Sequence, residues 1–210
     1  DKAAQAVWST EAYNPQALMT AYKSSSLIRR AITMPAEDSC REWREWQAEA
    51  VKISAIEAEE KRLDVRGKVL AARILARLFG GGAILIGTGE SDPSKPLNPA
   101  SLRVGGIKYL TVIARDQLTA QEIELDPLSP LYGTPKMWSV MSKATTNIHP
   151  SRVVVFHGIA PMTGNLMDAT DGWGTSNLYG MMQPLTRVDE VMNNISSLVY
   201  EAKVDVVKIP

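Results

Sequence analysis

The chain has 210 residues, of which 45% are apolar and 22% charged. That balance excludes a wholly disordered chain and suits one large domain, or a core with an appended helical arm. Lys plus Arg number 23 and Asp plus Glu number 23, so the net charge is zero. A sequence-wide basic surface for nucleic acid is excluded, whereas a local patch is not.

Residues 1–12 are rich in Ala and show no clear period. From 13 to 49 the pattern is helical with interruptions. Leu27, Ile28, Ala31 and Ile32 make an apolar stripe, and Pro35 is expected to break or kink that helix. A second amphipathic helix is expected over 36–49, placing Trp43 and Trp46 on one face. The longest helical stretch is 50–79, with Ile56, Leu63, Leu70, Ile74 and Leu78 recurring at sevens and fours. Its early Glu57, Glu59 and Glu60 and later Arg62, Arg66, Arg73 and Arg77 complement the helix dipole. Gly67 is a candidate break, and Gly80, Gly81 and Gly82 end the stretch.

The period then changes. Strands are expected at 83–87, 107–114, 136–141 and 152–157, with loops at 88–99, 126–135 and 158–174. A helix follows over 176–202, and a last alternating strand over 204–209. Helices, then strands, then one helix and a strand make an α+β class rather than a repeating βα unit. The organisation expected is an N-terminal helical arm, 1–48, and an α+β body, 49–210. The chain opens at Asp1 without Met and stops after a strand-like run, so a piece of a longer protein is expected. No apolar run reaches membrane-spanning length.

The candidates for chemistry are few. The glycines at 80–82 follow a helix and open a strand, the reverse of a phosphate loop, and no Gly-Lys-Ser/Thr occurs. One cysteine, Cys40, excludes a disulfide framework and a multi-cysteine zinc site. His149 and His157 would share a strand face if the strand were unbroken, with Asp168 and Asp171 near in sequence. His149-Pro150-Ser151 has the His-x-Ser shape of two-histidine phosphoesterases, but His157-Gly158-Ile159 supplies no second copy. No catalytic residue, cofactor site or metal site is therefore expected. Trp43 and Trp46 read as packing anchors or a subunit contact. Arg62, Arg66, Arg73 and Arg77 partly share a helix face and read as a solvated or intersubunit row. These six are the candidate subunit-interface residues.

The ordered segments carry a resemblance. Ser26-Leu27-Ile28-Arg29-Arg30-Ala31-Ile32-Thr33-Met34-Pro35, with Arg41-Glu42-Trp43, resembles the opening of tailed-phage portal proteins. It looks most like the portal group known as anti-CBASS-like at its N-terminal domain. The likeness continues at Arg77-Leu78-Phe79-Gly80-Gly81-Gly82, Asp126-Pro127-Leu128-Ser129-Pro130-Leu131-Tyr132-Gly133, Ile148-His149-Pro150-Ser151-Arg152-Val153 and Trp173-Gly174-Thr175-Ser176. The resemblance implies a portal wing-like body: N-terminal helices, a small mixed or antiparallel sheet, and a long C-terminal helix followed by a strand. It implies a structural subunit of a homo-oligomeric ring, of about twelve copies, at one capsid vertex of the virion and in the host cytoplasm during assembly. The implied partners are terminase, major capsid and head-completion proteins, and double-stranded DNA passing without sequence specificity; neither a membrane nor a cofactor is implied. The alternative is the N-terminal part of a phage anti-defence cyclic-oligonucleotide phosphodiesterase polypeptide.

Overall fold

The computed structural model describes residues 13–141, 145–159 and 172–204, and they form an α+β fold. Its first unit is Tyr13–Asn177. Helix α1, Pro15–Ser24, starts where the Asn14 side chain accepts the Ala17 N–H at 3.1 Å. Proline is tolerated in that first turn because its missing amide would have no helical partner there. Ser25 then caps α2, Ser26–Arg41, by accepting the Ile28 N–H. Ile28, Ile32, Ala36 and Cys40 repeat every four residues and are all buried, which fixes the inner side of α2. Leu18 of α1 is buried as well, so α1 is docked on the helices that follow it.

Pro35 does not break α2, one of the two outcomes expected from the sequence. Proline removes the N–H that would bond the Ala31 carbonyl. Arg77 supplies a donor instead: its guanidinium reaches Ala31 O at 3.1 Å and Ile32 O at 3.0 Å. A second expectation also needs correction. Residues after Arg41 are not helical, and 42–49 is a loop leading to α3, Ala50–Arg62. The Arg66 guanidinium caps the end of α2 at the Arg41 carbonyl, 2.9 Å away.

Helix α4, Val65–Phe79, is separated from α3 at Leu63 and Asp64 rather than at Gly67. Asp64 takes a left-handed backbone, φ 50°, and its carboxylate lies over Gly67, where a Cβ would come within 2.6 Å of Asp64 Oδ1. The glycine makes room for the turn instead of breaking the helix. Gly80 ends α4 with φ 82°, as a left-handed C-terminal residue should. The last carbonyls of α4 find donors elsewhere. Ser176 Oγ donates to Leu78 O at 2.6 Å and Asn177 N to Arg77 O at 3.0 Å.

Two antiparallel three-stranded sheets follow, where a single sheet was expected. In the first, β1 (Gly81–Gly87) lies between β2 (Tyr109–Ala114) and β6 (Val153–His157). In the second, β4 (Pro135–Val140) lies between β3 (Leu118–Ile123) and β5 (Thr146–Ile148). Both β3 and β5 escaped the sequence reading. Helix α4 packs against the first sheet. Ala83, Ile113, Leu118, Trp138, Ile148 and Trp173 form the buried core that joins strands of both sheets.

In the second unit the described residues run from Leu178 into α5, Tyr179–Val204. Its 26 residues make a rod of about 39 Å. Val188, Val191, Met192, Ile195, Leu198 and Val199 are exposed along it, at spacings of three and four. Residues 1–12 of the expected arm, the segment 160–171 and the expected final strand beyond Val204 lie outside the described residues.

Candidate interaction surfaces

Trp43 and Trp46 sit on the extended 42–49 loop, both half-buried. They do not share a helix face. They bracket Arg44, whose guanidinium carbon lies 5.0 Å from the Trp43 ring centroid and 4.8 Å from that of Trp46. Arg44 Nε donates to Glu60 Oε1 at 2.8 Å, and Trp43 Nε1 donates to Glu60 Oε2 at 3.2 Å. One carboxylate on α3 thus holds both a cation and an indole, so the loop is a Trp–Arg–Trp clamp on α3. The Trp46 Nε1 is buried and has no hydrogen-bond partner among the described residues.

The four candidate arginines have separate tasks. Arg62 pairs with Glu59 and donates to Ile107 O at 2.6 Å. The Arg62 hydrogen bond, aided by the Gly105 amide, holds the Glu59 carboxyl below its usual range. Arg66 caps α2, and Arg77 bonds the Ala31 and Ile32 carbonyls beneath Pro35. Arg73 is exposed and has no hydrogen bond or ion pair among the described residues. Three of the four guanidinium groups therefore tie the chain to itself, and the four do not act as one row.

The two histidines are not brought together. Strand β5 ends at Ile148, and a single turn, Pro150–Arg152, precedes β6, so no continuous strand joins them. His149 caps that turn: its Nδ1 accepts the Ser151 N–H at 3.2 Å and lies 2.8 Å from Ser151 Oγ. Ser151 Oγ also accepts the Leu97 amide at 2.8 Å, and His149 N donates to Pro93 O at 3.0 Å. The His-x-Ser tripeptide therefore pins the loop after β1 to the sheet. Replacing His149 by Ala should cost about 1 kcal/mol, as for other lost caps. Urea denaturation measures this, and a loss several times larger would contradict a role confined to the turn.

His157 lies edge-on to Trp173, ring centroids 6.4 Å apart. Burial pushes its pKa below the ordinary histidine value. The unfolded chain therefore binds the proton more readily, so this contribution to stability is present at neutral pH and is lost as pH falls through the usual histidine range. Among the described residues no group of three or more His, Cys, Asp or Glu is placed to hold a metal ion. Asp168 and Asp171 lie outside them. No described helix is long and apolar enough to cross a membrane.

Arg152 is the polar centre that sequence reasoning missed. It is 4% exposed. Its Nε donates to Lys95 O at 2.8 Å, one terminal nitrogen to Thr88 Oγ1 at 3.0 Å, and the other pairs with Glu90. It ties the 88–99 loop to the start of β6. Nothing in Arg152-Val153-Val154-Val155 distinguishes such an arginine from one at an exposed strand start.

Comparison with known proteins fits this architecture. The chain is 38% identical over its whole length to "Anti-CBASS protein Acb1" of Sphingomonas paeninsulae. It is 36% identical, also over its whole length, to a protein of the same name from Caulobacter sp. (strain RHG1). It spans 34% of the length of each of these curated relatives. An uncharacterised Haemophilus influenzae protein is 26% identical over 90% of the chain, which covers 42% of that protein. A chain from the neck of an empty GTA particle shares the fold at TM-score 0.50 and 14% identity, over the whole of this chain and 52% of that one. Residues 16–210 match the phage portal protein family, and the chain belongs to that family.

Proposed function

We propose that the chain is the wing segment of a portal subunit, a structural part of the ring through which DNA passes at one capsid vertex of the virion. The family match over residues 16–210 carries this reading. The arrangement of the described residues supports it. Glu60, Arg66, His149 and Arg152 serve clamping, capping and loop-pinning, and the proposed subunit carries out no catalysis of its own. Zero net charge suits copies that must approach one another and a conduit that must release DNA. A closed ring needs a heterologous contact, one face of a subunit against a different face of the next. The Trp43–Trp46 loop and the exposed apolar stripe of α5 are the proposed contributors. Terminase, major capsid and head-completion proteins are the proposed partners of the assembled ring.

The full length of the two Acb1 relatives favours a second reading, in which this segment is the N-terminal part of an anti-defence phosphodiesterase polypeptide. Native mass spectrometry and a turnover assay on the full-length polypeptide separate the two. The portal reading expects one closed oligomer of about twelve copies and no cyclic-oligonucleotide hydrolysis. A monomer or dimer that hydrolyses such substrates supports the second reading and removes the first.

A further inference from the structure

Strand β6 is the last strand of the first sheet, and over part of its outer edge no described residue pairs with it. The Gly158 amide bonds Gly80 O at 3.1 Å. In the β1–β6 register this makes 158/80, 156/82 and 154/84 the hydrogen-bonded pairs. The N–H and C=O groups of Val153, Val155 and His157 therefore point away from β1. Ile159 continues the same edge and exchanges two bonds with Thr175, at 2.8 and 2.9 Å. No described residue makes the equivalent backbone bonds to Val155 or His157.

A cleft of about 370 Å³ lies against this edge, walled by α2 and α4. Four consecutive β6-side residues, Val155, Phe156, His157 and Gly158, line it. Ser39 stands on the α2 wall, and Arg73 and Arg77 stand on the α4 wall. The Arg77 guanidinium is committed to the Ala31 and Ile32 carbonyls. That of Arg73 has no partner among the described residues. Arg73 is thus an unspent planar cation beside an unspent strand edge.

We propose that this cleft is a docking site for an extended acidic peptide segment of a partner protein. The peptide would add as a strand to β6, exchanging main-chain bonds with Val155 and His157. A glutamate or aspartate on it would meet Arg73, where a bidentate carboxylate–guanidinium pair sets register. The cleft has the strand-and-helix walls that such additions use, and its free charge selects acid over base. The proposal does not depend on ring formation and stands or falls separately from the portal reading.

The test is fluorescence anisotropy with a labelled peptide of alternating Thr and Glu. Three controls accompany it: its Thr/Lys counterpart, the acidic peptide N-methylated along one edge, and free glutarate. The acidic peptide should bind saturably. The Lys peptide should bind at least about tenfold more weakly, Arg73→Glu should weaken the acidic peptide about as much, and Arg73→Lys, which keeps the charge but not the bidentate pair, should fall between the parent and Arg73→Glu. Arg73 is exposed, so circular dichroism of the variants should stay that of the parent. N-methylation should abolish binding, because the edge needs peptide amides. Absence of saturable binding, as when the chain's own residues cover the edge, overturns the proposal. So does equal binding of acidic and basic peptides, or of the N-methylated one. Full displacement by an equal concentration of glutarate would show a simple anion site and also overturn it.

Discussion

Trp138→Ala is expected to lower stability by about 3–5 kcal/mol, the cost of emptying a core site the size of an aromatic ring. Trp138 is 2% exposed and Trp173 is 4% exposed. Their ring centroids lie 5.0 Å apart at an interplanar angle of 47°. Trp138 comes from the middle of the second sheet, whereas Trp173 precedes the residues that cap α4. Trp173 also donates its indole N–H to Leu118 O at 3.1 Å. Loss of either ring removes a packing partner of the other, so the two substitutions should be non-additive. Trp173→Phe should recover part of the packing and still lose the hydrogen bond. Equilibrium denaturation of the single and double variants measures this. A Trp138→Ala loss below about 1 kcal/mol would mean that the sheets do not share this core.

Arg152→Ala is expected to cost about 2–4 kcal/mol, because hydrogen bonds to a buried charged group are lost together and an acceptor is stranded. The stranded acceptor is Lys95 O, and the Thr88 hydroxyl loses its partner too. Glu90 is about half exposed and can return to water, so the ion pair contributes less than the buried bonds. Arg152→Lys should rescue little, since an ammonium cannot reproduce three divergent donors on one planar group. Thermal melts should rank the wild type above Lys and Lys close to Ala. Full rescue by Lys would show that charge alone matters there. Limited proteolysis should cut first within 88–99, the loop that Arg152 holds.

Much of the helical half was legible in the sequence. The apolar stripe of Leu27, Ile28, Ala31 and Ile32 and the glycines after Phe79 are local signals; α2 carries the first and α4 ends at the second, whereas the caps Asn14 and Ser25 were not read from the sequence. The class was legible as well, since strands and helices separate along the chain. The errors arose where distant residues act. Pro35 is accommodated because Arg77, forty-two residues away, donates to the Ala31 carbonyl that proline abandons. The Trp pair was read at helical spacing, yet Glu60 draws Arg44 between the rings and the segment is extended. Strand β3 carries exposed Thr119, Gln121 and Glu122, with Glu122 at φ 47°, so its alternation is weak. Strand β5 has only three residues and takes its definition from pairing with β4. The tasks of Arg152 and of His149 belong to loops brought together by the fold, which residue spacing does not encode.

The central claim, that this chain is part of a portal ring, is tested most directly by electron microscopy of the purified full-length polypeptide. Negative-stain class averages should show closed rings with an axial channel and a broad outer rim, in which the α+β unit of Tyr13–Asn177 can be placed once per subunit. Compact particles without a channel, monodisperse at the mass of one or two chains, would contradict the account.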